Sequence, residues 1–154
     1  MHSDPIFHID PMKPVIQLER TGCGIAAVAA IAGLSYSKTK AIANGLGISA
    51  LDDRLWSEAR YVRKLLTHFG IKTGSREIPF QSWTALPDLA LLSIKWHLEK
   101  GRPYWHWVVF VRENGQSCVL DSRKGLRSHR RTDFGRMKPK WHIPVMIRFH
   151  PMGS

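Results

Sequence analysis

Two cysteines in 154 residues are too few to staple a domain with disulfides. Cys23 and Cys118 form no Cys-x-x-Cys pair, and none of the eight histidines stands in a His-x-x-x-His spacing. His97, His106 and His142 are far apart in the chain, so neither a metal nor any other cofactor is expected. Long apolar runs are missing too: the longest, residues 25–34, covers half of the roughly 20 residues that a membrane-crossing helix needs. The opening Met1-His2-Ser3-Asp4-Pro5 lacks the basic cluster and apolar core of a cleaved secretory signal, which makes a cytoplasmic, reducing setting the default expectation. Export by a route without a cleaved signal is the other. There is no internal repeat, no zinc-finger spacing, no RNA-recognition signature and no basic-zipper heptad.

Acidic residues are scarce in one region. Across residues 122–148 nine Lys and Arg (123, 124, 127, 130, 131, 136, 138, 140 and 148) face only Asp133, so that stretch supplies +8 of the formal +11. Such a surface suits an acidic partner or substrate, or else is a solvated face that maintains solubility. Nucleic acid would rest on charge alone. Arg123, Lys124, Arg127, Arg130 and Arg131 are expected on the rim of a cleft.

What is present reads as helices first and strands second. Prolines 5, 11 and 14 mark residues 1–15 as an extended N-terminal arm, and residues 16–150 are long enough for one domain. Residues 23–32 are small and apolar all round, the pattern of a buried helix, with Thr21 as N-cap and Gly33 as stop. Residues 37–44 predict a second helix. Leu55, Ala59, Val62, Leu66 and Phe69 recur at helical spacing and predict a third, ending at Gly70. Beyond it the period falls to two. Ala90, Leu92, Ile94 and Trp96 alternate with Ser93 and Lys95; Gly101-Arg102-Pro103 turns the chain; residues 104–112 are aromatic and β-branched; Asn114-Gly115 is a hairpin turn answered by residues 117–122. A final strand is expected over residues 143–149. The class is α+β: a helical N-terminal half, including a buried helix that begins at Cys23, packed on an antiparallel sheet from the C-terminal half.

A tip at Asn114-Gly115 sets the hairpin register. Val111 then faces Cys118, Val108 faces Asp121 and His106 faces Arg123. Asp121 falls on the same face as His106, one diagonal step of about 7–8 Å away, within side-chain reach. Cys118 falls on the other face and is expected to be a buried structural thiol without partnership to Cys23. Trp105 and Trp107 are expected opposite His106, with Trp83, Trp96 and Trp141 as candidate cleft residues.

Cys23, at the start of a buried helix, has free N–H groups and the positive end of the helix dipole around it, a setting that favours a thiolate. His106 is then the candidate base, and Asp121 the group that orients it. Gln17, six residues before Cys23, is the candidate side-chain donor to a developing oxyanion, beside the Cys23 N–H.

The run Gln17-Leu18-Glu19-Arg20-Thr21-Gly22-Cys23-Gly24-Ile25-Ala26-Ala27 resembles the active-site segment of the bacteriocin-processing, double-glycine leader peptidases, a branch of the papain-like cysteine peptidases. In that family a Gln stands six residues before the nucleophilic Cys, an acidic residue stands two after the Gln, and Cys-Gly-x-Ala opens the central helix. His106-Trp107-Val108-Val109-Phe110 and Val119-Leu120-Asp121 are similar to its His and Asp strands, and Ile71-Lys72-Thr73 matches a strand in its order. Gly22 stands where the family usually has Asp or Asn, and Ser122 where it often has Pro. The resemblance covers residues 15–148. It implies a papain-like fold and a thiol hydrolase of peptide or amide bonds, with Cys23 as nucleophile, His106 as base, Asp121 as orienter and Gln17 in the oxyanion hole. The clan also includes deamidases and acyl transferases. The alternative from a different class is a non-catalytic basic binding module on the same fold. Oligomeric state leaves no mark in the sequence.

Overall fold

The computed structural model describes residues 11–146. The helix α1 (Cys23–Ala32) is buried from Cys23 through Ala30, as its small apolar side chains require. Gly24 permits this depth: a Cβ there would lie 3.0 Å from Val62 Cγ2 and 3.3 Å from Trp107 Cδ1, on the two elements that flank α1. The helix ends at Gly33 as expected, but its N-cap is Gly22. Thr21 is displaced from that role because its hydroxyl donates to the Ala50 carbonyl, on a different loop. Ala26 N–H is the first to bond back, to Gly22 at 3.0 Å, so the N–H groups of Cys23, Gly24 and Ile25 precede the helical ladder.

α2 (Tyr36–Gly45) begins at Ser35, whose side chain accepts from the Lys38 N–H. The single helix expected from Leu55 to Phe69 is split into a 3-10 turn, Asp53–Trp56, and α3 (Arg60–His68). A competing set of tertiary bonds breaks it. Ser57 donates to the Pro103 carbonyl and accepts from Arg102 Nε, both at 2.7 Å, while Trp107 Nε1 donates to the Leu55 carbonyl at 2.8 Å. Leu55 stays in the core, but on the turn.

The strands are β1 (Ile78–Pro79), β2 (Leu89–Glu99), β3 (Arg102–Glu113), β4 (Gln116–Leu120), β5 (Arg130–Arg131) and β6 (Trp141–Pro144), with α4 (Phe134–Met137) between the last two. They form one antiparallel sheet in the order β1-β6-β2-β3-β4-β5. The architecture is the α+β one expected, helices first and packed on the sheet. Residues 71–73, expected as a strand, contribute one bridge, Thr73 to Val145. The last strand starts earlier than expected, at Trp141, and positions 147–149 lie outside the described residues.

Two layers cover the sheet. Leu91, Trp105, Trp107, Val109 and Val111 meet the helices, while Ala90, Leu92, Ile94, Val108 and Phe110 meet Leu86, Trp83, Phe134 and Met137 on the other face. β2 is therefore buried on both sides from Leu89 to Ile94, Ser93 included, and its alternation marks two cores rather than core and solvent.

The turn between β2 and β3 is Lys100-Gly101, both at positive φ (52° and 80°), so Arg102 and Pro103 belong to the strand. Ile94 pairs with His106 but His97 pairs with Tyr104, which leaves a bulge at Lys95 and Trp96. The bulge moves Trp96 off the face of Ile94 and onto the helical side, against the expected alternation.

Candidate active site

Cys23 opens α1 with its side chain against β3, where its Sγ accepts from the Trp107 N–H at 3.5 Å. It has no exposed surface. The preceding β3 residue, His106, points its Nε2 at Asp121 Oδ1, 2.7 Å away, and lies close to the Cys23 side chain. Because Asp121 accepts at Nε2, the nitrogen left for the thiol is Nδ1. Burial opposes a charged imidazole, but hydrogen bonds to Asp121 and Cys23 and the charges of both outweigh it. The His106 pKa is pushed up from 6.5 to about 9.

The expected register of β3 and β4 is the observed one from Arg112–Ser117 to Val109–Leu120. The ladder ends there, so Val108–Asp121 and His106–Arg123 are not ladder pairs, and the Asp121 N–H bonds the His129 carbonyl at 2.9 Å on the β5 side. Asp121 still reaches His106, from the first residue of the loop. Its carboxylate is 1% exposed and fully partnered: Oδ1 accepts from His106 and from the Arg123 N–H at 3.0 Å, and Oδ2 accepts from Arg131 Nη1 at 2.9 Å. Burial favours the neutral acid, yet the His106, Arg123 and Arg131 bonds hold it well below the usual carboxylate range. Arg131 is fixed in turn by two bonds to Asp133, at 3.0 and 2.7 Å.

Gln17 is buried, and every polar atom of its side chain is engaged. Nε2 donates to the carbonyls of Glu19 and Arg20 at 2.9 and 3.0 Å, and Oε1 accepts from the Ser122 hydroxyl at 2.7 Å. Its backbone N–H donates to the Ser122 carbonyl at 3.0 Å. Gln17 thus ties the loop before α1 to the residue after Asp121, and Ser122, unlike proline, supplies a hydroxyl for this. Service to an oxyanion requires it to exchange one loop carbonyl. Glu19 accepts from Tyr36 Oη and from Lys40 Nζ at 2.6 Å, bonds that outweigh desolvation and hold its carboxyl low. A Cβ on Gly22 would lie 2.1 Å from the Tyr36 hydroxyl, so a side chain is excluded at this position.

A cleft of about 430 Å³ runs beside these groups, lined by Gln17, Leu18, Glu19, Arg20, Trp56, Lys95, His97, Trp105, His106, Arg123 and Lys124. It reaches His106 and Gln17 and stops short of Cys23. Of the five basic residues expected on its rim, Arg123 and Lys124 line it, whereas Arg127 is exposed elsewhere. Arg130 bonds the Met12 carbonyl and Arg131 binds Asp121 and Asp133, which removes both from the wall. Trp105 and Trp107 lie on the helical side as expected, although Trp105 also reaches the cleft. Trp83 lies in the opposite core, Trp96 under Lys140, and Trp141 edge-on to Trp105 and Trp107, so none of these three lines it.

Sequence reasoning missed Lys95, Trp56, Arg20 and the bond of Arg131 to Asp121. Asp133 was the one available signal for Arg131, being the single acid of its stretch and two residues away. Nothing local announced the bulge that carries Lys95. Cys118 is on the face predicted and is a free thiol, but half-buried rather than buried, because two-residue β5 covers β4 only at Val119 and Leu120. Its sulfur lies 3.7 Å from Arg130 Nη1.

Among the described residues no group of three or more His, Cys, Asp or Glu is placed to hold a metal, and no helix is long and apolar enough to cross a membrane. No family model matches the sequence, and neither does any curated protein. The fold, with a helix that begins at Cys23 packed on a C-terminal sheet, is consistent with the papain-like clan in general.

Proposed function

We propose that this chain is a papain-like thiol hydrolase of peptide or amide bonds, most similar in kind to the double-glycine leader peptidases whose motif it resembles. The observation that carries the reading is His106 held by Asp121 Oδ1, at 2.7 Å from Nε2, close to Cys23, whose Sγ meets the N–H of the adjoining residue Trp107. In this reading His106 Nδ1 takes the thiol proton and Sγ attacks the amide carbonyl carbon. The oxyanion forms beside the Cys23 N–H, in the unladdered first turn of α1, and Gln17 Nε2 joins it by releasing the Glu19 or Arg20 carbonyl. The imidazolium then protonates the departing amine, leaving an acyl-thioester on Cys23. Water, deprotonated by His106, releases the acid and restores the thiol. Access to Sγ requires the wall between the cleft and Cys23 to part at residues 17–20.

A different acceptor or leaving group on the same thioester makes the chain a transferase or a deamidase. The test is a defined peptide mixture incubated with the protein and with its Cys23→Ser variant. New N-termini dependent on Cys23 support a peptidase, and Gln-to-Glu mass changes without cleavage support a deamidase. The non-catalytic basic module draws on one observation of its own, the absence of exposed surface at Cys23. It is supported if neither product appears and Cys23→Ser matches the parent.

A further inference from the structure

The cleft beside His106 gathers four cationic side chains. Arg20, Lys95, Arg123 and Lys124 all line it, and among the described residues none of their charged groups is in an ion pair. The one carboxylate in the wall, Glu19, is already committed to Lys40 and Tyr36. Lys95 sits in the β2 bulge at φ 55°, a left-handed conformation that costs a non-glycine residue energy and recurs at functional sites. Arg123 is anchored through its own N–H to Asp121 Oδ1. Desolvation, followed by the Arg123 charge, lowers the Lys95 pKa. Two indoles of the same wall, Trp56 and Trp105, each have a buried Nε1–H without a hydrogen-bond partner. Four cations without an ion-pair partner among the described residues describe a site complementary to an anion.

The shape argues for a peptide carboxylate over nucleic acid. A volume near 430 Å³ suits a side chain or a chain end. The aromatic faces that would stack a base are taken: Arg20 lies 5.3 Å over Trp56, Tyr104 meets its edge, and Trp105 packs edge-on to Trp107 and Trp141. We infer that the cleft selects a carboxylate next to the amide attacked by Cys23, with Lys95 and Arg123 as its specificity-determining residues. The inference rests on the hydrolase reading above and names its substrate class.

The test compares alkylation of Cys23 by iodoacetate and by iodoacetamide, followed by mass spectrometry of the Cys23 peptide, each referenced to a free thiol. The expected iodoacetate-to-iodoacetamide ratio exceeds the free-thiol ratio by on the order of tenfold at low ionic strength and falls with added salt. Lys95→Gln and Arg123→Gln should each lower the ratio several-fold; the His106 imidazolium attracts iodoacetate in parent and variants alike, so it cancels when their ratios are compared. Rapid iodoacetamide labelling with an unaltered ratio in both variants would overturn this inference and leave the hydrolase reading standing. Labelling by iodoacetamide no faster than the free thiol would overturn the hydrolase reading and this inference with it. Protection by N-acetylglutamate α-amide, but not by N-acetylglycine, assigns the carboxylate to a side chain, and the reverse assigns it to a chain terminus; protection by both or either supports the inference, whereas protection by neither opposes it. Salt-dependent binding of a single-stranded oligonucleotide that blocks iodoacetate would overturn it in favour of nucleic acid.

Discussion

His106 Nε2 lies 2.7 Å from Asp121 Oδ1, although the two residues stand beyond the last paired rung of β3 and β4. The contact makes folding pH-dependent. The His106 pKa is raised from 6.5 to about 9, so the folded state holds a proton that the unfolded state releases earlier. Its stabilisation is complete below pH 6.5 and is lost as pH rises through 9, by about 3 kcal/mol. Asp121 has the opposite sign: its contribution is complete above its ordinary 3.8 and fades only in stronger acid. Urea unfolding at pH 6, 7.5 and 9.5 should show the alkaline loss, and Asp121→Asn should largely abolish it. A parent stability that is flat from pH 6 to 9.5 would contradict the pairing.

Arg131 should matter through Asp121. Arg131→Met leaves one oxygen of a buried carboxylate without its charged donor, at a cost of about 1–3 kcal/mol. Removal of that positive charge should also move the His106 titration upward, readable by NMR of its ring protons. Arg127→Met, on an exposed residue, should change neither.

Gly22 and Tyr36 should be coupled. Gly22→Ala places a Cβ on the Tyr36 hydroxyl and should destabilise by about 1–3 kcal/mol. Tyr36→Phe removes that atom, and the double variant should regain part of the loss, a positive coupling in a double-mutant cycle. Strictly additive losses would show that Tyr36 does not set the requirement for glycine.

Gln17→Ala should lower stability by about 1–3 kcal/mol, because it cuts the tie between the loop before α1 and Ser122. If turnover is found, kcat should fall about 100-fold to 1,000-fold, the range for loss of one oxyanion donor. Ser122→Ala should share the stability loss but keep most of the turnover. Equal kcat losses in both variants would make Gln17 a loop tie alone.

The features legible in the sequence were those set by local pattern. All-round small apolar residues from Cys23 to Ala32 could only be a buried helix, and Asn114-Gly115 fixed a register that brought Asp121 to the face of His106. What stayed hidden depended on contacts distant in sequence. Helical spacing ran through Ser57 without a break, because the break comes from Arg102 and Pro103, some 45 residues on. Thr21 had the composition of an N-cap but found a better acceptor in Ala50. The bulge at Lys95 left the alternation of β2 intact on paper while turning Trp96 over. The charge of residues 122–148 was correctly seen as uneven, yet charge alone could not tell Arg123, which faces the cleft, from Arg131, which holds Asp121.

The most direct test of Cys23 as nucleophile is the pH profile of its alkylation by iodoacetamide in the parent and in His106→Asn. The account predicts a second-order rate above that of a free thiol at pH 6 to 7, where a free thiol is almost wholly protonated, and loss of that advantage in His106→Asn. A rate at or below the free thiol across the whole range, identical in the two proteins, would contradict it and leave Cys23 as part of the core.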